Sequence, residues 1–521
     1  MDRYTVFKQT GTHADVLAAI GAADVLRHLE PRIVEFEDRF EVQLRTPLHP
    51  SDLTAVDPGF SYLLRPKKTA PSLPPERIVQ THPGLDGAGA AVTTAENRMY
   101  SILGLMKAYG GPNRVFSRFA KMRRDKWESR VWECFQGRPD FVFSSPLVQL
   151  FNPHAAKGYA LLKPRGTNRN DKSKDRWAQP FVEWLRFRGY FEGCAGWFAS
   201  GDLRLFSPIP ADVPYTQFSA AAAAFRDLRL GGTGVKMDCR AVLGLTRLVI
   251  EGAETYRAPR QWVRGVCVTQ YKDMGQAHTV MAMEQLSLPD WFELRTSKHA
   301  KTWLQTLEEH DVVLRRLTDS HSDEFELLKR YRRTFQACRR ESIAEFVEFL
   351  MGYGILLFKR RAHGHWLLPQ FSMSGVTPIL RRDPDLSMML RNRGFLAVAA
   401  AVRSSTVGAQ AARHNGKPEH REIHYGLLCE IRRAGLLGRH ELMAAISSFV
   451  SEFNRETARR HAAGLRAARI QDGEMEAFAA LVERLPSSAA VGSLVCALAS
   501  CVRGEVHAAD AEPELARAIS A

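Results

Sequence analysis

The stretch RHELMAAISSFVSEFNRE, residues 439–456, shows most clearly what the C-terminal part of this chain folds into. Its apolar residues recur every three or four positions, which places them along one face of a helix. They are Leu442, Ile446, Phe449, Val450 and Phe453. Similar seams occupy residues 423–431, 475–485 and 491–502. Amphipathic helices joined by short loops bury such faces against each other, so the sequence predicts an all-helical bundle over residues 393–521.

Upstream of the bundle, strand-like and helix-like patterns alternate. A strand pattern at residues 4–8 precedes a helical pattern at residues 14–29, and apolar residues then alternate along residues 34–44 with a turn at Asp38-Arg39. Later strand patterns lie at residues 196–198, 202–206, 265–272 and 278–284, and a long helical pattern lies at residues 322–353. The order predicts an α+β fold, with a mixed α/β N-terminal body and a C-terminal all-helical bundle.

We predict three domains. A basic α+β N-terminal domain occupies residues 1–230, a middle mixed domain with a basic helix occupies residues 231–392, and the helical bundle occupies residues 393–521. The first boundary is placed at the glycine-rich joint Gly231-Gly232-Thr233-Gly234.

The charge of the chain is strongly positive and unevenly distributed. Its 521 residues include 72 Lys/Arg and 57 Asp/Glu, a net charge of +15. Residues 395–521 hold 15 Lys/Arg and 14 Asp/Glu, a balance of 15 − 14 = +1, which leaves 15 − 1 = +14 for residues 1–394. Such an excess favours phosphate-rich partners.

The most informative basic segment is the basic loop, residues 157–176, which leads into an aromatic segment ending near Tyr190. Its part from Lys163 to Asp175 has almost no apolar side chains. We predict that the loop binds duplex DNA. Asn168, Arg169 and Asn170 can pair with base edges, whereas lysine and arginine neutralise phosphates. The predicted DNA-binding residues are Lys157, Lys163, Arg165, Asn168, Arg169, Asn170, Lys172, Lys174 and Arg176. The alternative is a solvated surface loop beside an ordinary buried aromatic helix.

Two further basic tracts predict contacts with the nucleic-acid backbone. One lies within residues 114–130 among aromatic residues, and the other lies on the helical pattern at residues 322–353. The predicted backbone-binding residues are Arg118, Lys121, Arg123, Arg124, Lys329, Arg330, Arg332 and Arg333.

No catalytic signature stands out in the sequence. The pair His363 and His365 lacks a nearby acidic or cysteine ligand, His420 and His424 lie four residues apart without an H-E-x-x-H motif, and the Gly231–Gly234 joint lacks the Gly-Lys-Ser/Thr ending of a phosphate-binding loop. We therefore predict a binding protein that is not an enzyme and has no cofactor and no metal. A metal-dependent nuclease or a transposition-associated DNA-binding enzyme is the alternative, because acidic residues can converge from distant segments.

The cellular setting is predicted from cysteines and hydropathy. The eight cysteines are scattered without a C-x-x-C motif, which is typical of a reducing compartment. No signal peptide or membrane span is predicted, so the expected location is the cytoplasm, with no membrane partner.

Several segments resemble the large subunit of type I CRISPR surveillance complexes, the Cascade effectors. The similar motifs are Asn152-Pro153 with Lys157-Gly158, Trp184-Leu185-x-Phe187-x-Gly189, Tyr331-Arg332-Arg333, Trp366-Leu367-Leu368-Pro369-Gln370-Phe371, Glu422-x-x-Tyr425-Gly426-Leu427-Leu428 and Phe449-Val450-x-x-Phe453-Asn454. They span about residues 150–460. None is a catalytic signature.

The resemblance implies a function and a set of partners. It implies a protein that reads the protospacer-adjacent motif on duplex DNA and stabilises the opened target strands, while pairing with the guide reads the rest. The implied partners are guide RNA, double-stranded target DNA, other Cascade subunits and a helicase-nuclease recruited in trans. A structural or RNA-processing scaffold without duplex preference is a further alternative.

Overall fold

The computed structural model describes residues 2–8, 11–56, 124–136, 178–199, 202–228, 230, 234–253, 257–273, 278–292, 294–318, 320–336, 339–417 and 420–502. The chain divides into two compact units, unit 1 at Met1–Leu288 and unit 2 at Pro289–Ala521. The predicted boundary after residue 230 falls inside unit 1, and the one after residue 392 falls inside unit 2.

Unit 1 contains two four-stranded antiparallel sheets. The first has the order β1 (Arg3–Phe7), β3 (Arg39–Gln43), β2 (Arg32–Glu35) and β6 (Asp212–Pro214). The hairpin predicted at residues 34–44 is confirmed, but the alternation does not continue on one face across its turn, because Val34 pairs with Glu41 and lies on the opposite face from Phe40 and Val42. The second sheet has the order β4 (Ala195–Ala199), β5 (Asp202–Pro210), β7 (Val263–Asp273) and β8 (His278–Ser287).

The described helices of unit 1 surround these sheets. They are α1 (His13–Val25), α2 (Arg124–Phe135), α3 (Ala178–Gly193), α4 (Tyr215–Arg226), α5 (Gly234–Glu251) and the single turn α6 (Pro259–Trp262). Helix α1 begins after Thr12, whose hydroxyl accepts a hydrogen bond from the backbone N–H of Ala14. All of its residues are buried, because it packs against α3 and against strands of both sheets.

Helices α1 and α3 cross at two glycines. A β-carbon on Gly21 would collide with the backbone carbonyl of Leu185, and one on Gly189 would collide with the carbonyl of Leu17. The backbones can approach this closely only where neither helix carries a side chain. Beside the crossing, the guanidinium of Arg188 donates to the Asp24 carboxylate, with 2.6 Å from Nε to Oδ2.

Unit 2 is helical in its described part. Its helices are α7 (Ser297–Arg316), α8 (Ser322–Arg333), α9 (Arg339–Ala362), α10 (Met373–Leu380), α11 (Pro384–Arg391), α12 (Arg393–Ser404), α13 (Val407–His414), α14 (Leu427–Leu437), α15 (Arg439–Ala462), α16 (Asp472–Arg484) and α17 (Ser488–Ala499). Helix α17 is almost entirely buried and packs on α9, α12 and α14. The predicted α+β class with a helical C-terminal region is confirmed.

The helical pattern predicted over residues 322–353 forms two helices and not one. Helix α8 ends at Arg333, and α9 begins at Arg339. The hydroxyl of Thr334 donates to the carbonyl of Tyr331, and the Thr334 carbonyl accepts from the Ser342 hydroxyl. The backbone N–H groups of Thr334, Phe335 and Gln336 also bond to carbonyls three residues earlier, so the end of α8 tightens into turns of the 3₁₀ type. No described helix is both long enough and apolar enough to span a bilayer.

A buried histidine forms the polar centre of unit 2. His310 of α7 accepts at Nδ1 from the Tyr331 hydroxyl at 2.7 Å and donates from Nε2 to the carbonyl of Gly375 at 3.2 Å. Its ring stacks on Phe346, with 5.3 Å between centroids. Burial lowers the pKa of His310 to about 4, so the ring is neutral at pH 7.

We expect Gly21→Ala and Gly189→Ala each to lower the free energy of unfolding by about 2–3 kcal/mol or more, because the added methyl group has no space at the helix crossing. The measurement is the urea midpoint of each variant. Gly473→Ala in α16 is the matched control, since its nearest neighbour is the flexible Arg393 side chain at 3.5 Å. Midpoints for the first two variants that equal the control would refute the close crossing.

We expect unit 2 to lose stability in mild acid because of His310. The unfolded histidine has a pKa of about 6.5 and the folded one a pKa of about 4, so the unfolded chain binds the proton first as the pH falls. The neutral His310 ring contributes its full stabilisation above pH 6.5. As the pH falls from 6.5 to 4, the free energy of unfolding decreases by up to about 3 kcal/mol. Urea titrations of the wild type and His310→Gln across this range measure it. A difference between the two proteins that does not change with pH contradicts the assignment.

Candidate nucleic-acid interface

The basic loop itself, residues 157–176 with its nine predicted DNA-binding residues, lies outside the described part of the structure. So do Arg118, Lys121 and Arg123, and the side chain of Arg124 at the start of α2. Their roles remain predictions.

The aromatic segment that follows the basic loop forms helix α3. Phe181, Trp184 and Leu185 are buried. The Trp184 ring meets Trp127 of α2 edge-on at 5.7 Å between centroids, and Phe181 meets Phe135 at 5.2 Å. Aromatic pairs of this kind stabilise the packing of α3 on α2 beyond the area that they bury. The chain therefore leaves the loop directly into a fixed element of the core.

Helix α8 carries the other predicted backbone-binding residues, and two of its cations are already paired. Arg330 donates to Glu348 of α9 at 3.1 Å, and the same carboxylate accepts from the Ser493 hydroxyl of α17 at 2.9 Å. Lys329 lies 2.8 Å from Glu326. Arg330 therefore joins α8 to α9, and its charge is partly neutralised within the fold.

The remaining two predicted residues of α8 differ in exposure. Arg332 is half-buried, whereas Arg333 is exposed. Acidic residues occupy the first turn of α8 and basic residues its last turn, and charges in these positions interact favourably with the helix dipole. This interaction explains the charge pattern of α8 without a ligand. Of the four predicted residues, Arg333 is the best placed to reach a phosphate.

A second cationic surface lies in α15 and the chain that follows it. Four arginines in this region are exposed, and among the described residues none of them forms an ion pair. We call them the cationic collar: Arg455, Arg459, Arg466 and Arg469. Arg455 and Arg459 are separated by one helical turn, whereas Arg466 and Arg469 lie beyond the end of α15 at Ala462.

The segment after α15 is held against the helix. It turns at Gly464, which has a φ of +78°. Asn454 donates to the carbonyl of Ile470 at 2.9 Å and accepts from its N–H at 3.0 Å. Thr457 donates to the carbonyl of Ala468 at 3.2 Å. Because these bonds run along the last turns of α15, the backbone of Arg469 returns beside residues 454–457.

The buried Arg421 bonds to side chains in the last turns of α15, which carries Arg455 and Arg459. Arg421 donates to Thr457 at 2.9 Å and to Glu456 at 3.1 Å, and its guanidinium lies 3.9 Å from the Phe453 ring centre. Burial lowers the pKa of Arg421. Glu456 also lies 3.8 Å from Arg460, so its charge is shared between two arginines outside the collar. Glu452 is the exposed carboxylate one turn before Glu456 on the same helix.

Sequence reasoning missed the collar because it averaged charge over the whole C-terminal region. A balance of +1 for residues 395–521 hides a local excess of positive charge at residues 455–469. Most acidic residues of the region lie outside this range, and Glu456 within it pairs with Arg421 and Arg460. The usable signal was the run of five arginines between residues 455 and 469 with a single carboxylate, Glu456, among them.

The two histidine pairs noted in the sequence, His363 with His365 and His420 with His424, lie outside helices and strands. His420 and His424 precede α14 in non-helical chain, so they do not share a helix face as their spacing suggested. His363 Nδ1 lies 2.8 Å from the carbonyl of Lys359. Within the described ranges, no group of three His, Cys, Asp or Glu side chains is arranged to hold a metal ion.

Comparison with known proteins leaves the chain without an identified family. No protein-family model matches it, and no curated protein matches it.

Proposed function

We propose that this chain is a nucleic-acid-binding protein whose cationic collar contacts the phosphate backbone. The observation that carries the proposal is the presence of four exposed arginines without ion pairs in a segment fixed by hydrogen bonds. Of the two carboxylates in the last turns of α15, Glu456 is engaged by Arg421, whereas Glu452 is exposed. A guanidinium binds phosphate through two parallel N–H groups, so a fixed row of arginines suits a phosphodiester chain.

Two features favour a sequence-independent mode of binding at the collar. Contacts to phosphates position a protein on nucleic acid but carry no base information. The amide side chains nearest in sequence to the collar arginines already have partners, Asn454 at the backbone of Ile470 and Gln471 at the first turn of α16. Base reading, where it occurs, is assigned to the basic loop, which carries Asn168 and Asn170.

We further propose that the chain acts, without catalysis, as the large subunit of an RNA-guided surveillance complex of the Cascade type. The support is the resemblance of its motifs over about residues 150–460 and the concentration of positive charge in residues 1–394. In this role the basic loop reads the protospacer-adjacent motif on target DNA, guide RNA pairs with the target strand, and other Cascade subunits and a helicase-nuclease are the protein partners. The expected location is the cytoplasm.

We expect the change of all four collar arginines to serine to weaken binding of a 30-base-pair duplex at least tenfold at moderate salt. Each lost phosphate contact should also reduce the slope of log K against log salt by about 0.9. Fluorescence anisotropy at several salt concentrations measures both quantities.

The matched control removes the same charge elsewhere. Serine replaces four arginines that already pair with a carboxylate: Arg45, Arg247, Arg257 and Arg315. Both variants have the same net charge, so a difference in salt slope reports position and not total charge. Equal slopes for the two variants would remove the collar from the interface. Release of shortened strands by the chain alone with Mg²⁺ would contradict a non-catalytic role.

For the basic loop, we expect phosphate-directed and base-directed residues to behave differently. Reversing the charge of Lys163, Arg165, Lys172 and Lys174 should weaken binding to all duplexes and flatten the salt slope. Asn168→Ala or Asn170→Ala should mainly relax the choice among a randomised set of duplexes, read by sequencing the bound fraction. If both classes of variant change affinity and sequence choice equally, the division of roles is wrong.

A further inference from the structure

Two sequence motifs outside the collar meet at the end of helix α9. After Ala362 the chain turns at Gly364, which has a φ of +81°, and the N–H of His365 donates to the carbonyl of Arg360 at 2.9 Å. This turn places Trp366 against His414 at the end of α13, with 3.9 Å between the ring centroids. The Arg361 guanidinium lies 4.8 Å from the centre of the same indole ring.

The segment around Trp366 is fixed on both sides of an outward-facing leucine. Leu368 and Phe371 are buried, Arg361 donates to the Gln370 side chain at 2.9 Å, and Gln370 donates to the carbonyl of Ser500 at 2.8 Å. Leu367 lies between these anchored residues and is 80% exposed, the highest value among the large apolar side chains in the described ranges. An apolar side chain held in place by its neighbours loses little entropy when a partner covers it.

The second motif adds an exposed tyrosine to the same end of α9. Tyr425 is 57% exposed, and its ring lies 5.8 Å from that of Phe358 in α9. Gln410 of α13 donates to the carbonyl of Phe358 at 3.1 Å, so α13 runs past the same turn of α9 that Tyr425 covers. We call Trp366, Leu367 and Tyr425 together the Trp366 surface.

Positive charge lies on the side of the Trp366 surface next to His414, and the exposed Glu422 precedes Tyr425 by three residues. Arg413 and Lys417 flank His414, both are exposed, and neither forms an ion pair within the part of the chain that the structure describes. The carboxylates at this end of α9 are already paired, Asp323 with Lys359 at 3.6 Å and Glu324 with Arg360. The surface thus combines apolar side chains with cations that have no internal counter-charge.

We propose that the Trp366 surface docks a segment of a partner protein in which an aliphatic side chain stands between acidic residues. Tryptophan, tyrosine and arginine are the residues that most often dominate protein–protein binding energy, and Leu367 adds an exposed aliphatic side chain beside them. Acidic residues of the partner match Arg413 and Lys417. The site is separate in sequence from the collar and goes beyond the nucleic-acid function proposed above.

The test selects peptides on the full-length chain. A displayed library of random 12-residue peptides is panned on wild-type protein, and the enriched peptides are sequenced. We expect enrichment of Leu, Ile or Val flanked by Asp and Glu. The best peptide, labelled with fluorescein, should bind Leu367→Ser, Tyr425→Ser and Lys417→Glu at least tenfold more weakly than wild type in fluorescence polarisation.

The control is Leu436→Ser, because Leu436 is another exposed leucine, 67% accessible, on α14. This variant and the fourfold collar variant should bind the peptide like wild type, which separates failure of this proposal from failure of the proposed function. The proposal is overturned if no acidic–aliphatic sequence is enriched, if Leu367→Ser binds the selected peptide as wild type does, or if oligo-dT displaces the peptide and itself loses affinity for Leu367→Ser.

Discussion

The close crossing of α1 and α3 is the constraint on which unit 1 depends. Helix α1 is buried on every side, so both sheets and α3 are positioned by their contacts with it. The two helices can approach this closely only where Gly21 and Gly189 face each other's helix, because each glycine lies against a backbone carbonyl of the opposite helix. The ion pair between Asp24 and Arg188 lies beside the crossing, and the Tyr215 hydroxyl of α4 donates to the same carboxylate at 3.0 Å. A buried charge without these partners would be strongly destabilising, so the pair also favours a single register of α1 on α3.

The basic loop precedes helix α3, which is one of the two helices at this crossing. Helix α3 begins at Ala178, directly after the loop, and its aromatic face is buried against α2. The predicted preference of the basic loop for duplex DNA rests on Asn168, Arg169 and Asn170, whose side chains have the donors and acceptors for base edges.

Periodicity alone was sufficient for much of the fold. The N-terminal strand, the β2–β3 hairpin and the strands of the second sheet follow from short alternating runs of apolar residues, and the helix around residues 442–453 follows from apolar residues spaced three or four apart. The break between α8 and α9 could not be read in this way, because the apolar pattern continues across it and hydroxyl groups of Thr334 and Ser342 decide the local bonding. Helix α7 was also missed, since its polar composition conceals the seam formed by Trp303, Leu307 and Leu314.

Candidate site residues were harder to predict than the fold, because a basic residue gains its role from its neighbours. Arg330 and Arg459 are the same amino acid on two amphipathic helices of unit 2. Arg330 faces Glu348 and joins two helices, whereas Arg459 is exposed and has no described ion pair. Sequence counts treat the two alike, and they favoured α8 because its basic residues are adjacent. Pairing depends on which carboxylates the fold brings within about 4 Å, and that distance is set by tertiary packing between segments far apart in the chain. The charge available to a polyanion is therefore the charge left over after the fold has satisfied its own ion pairs, and the collar at the end of α15 is one place in the described part of unit 2 where such charge remains.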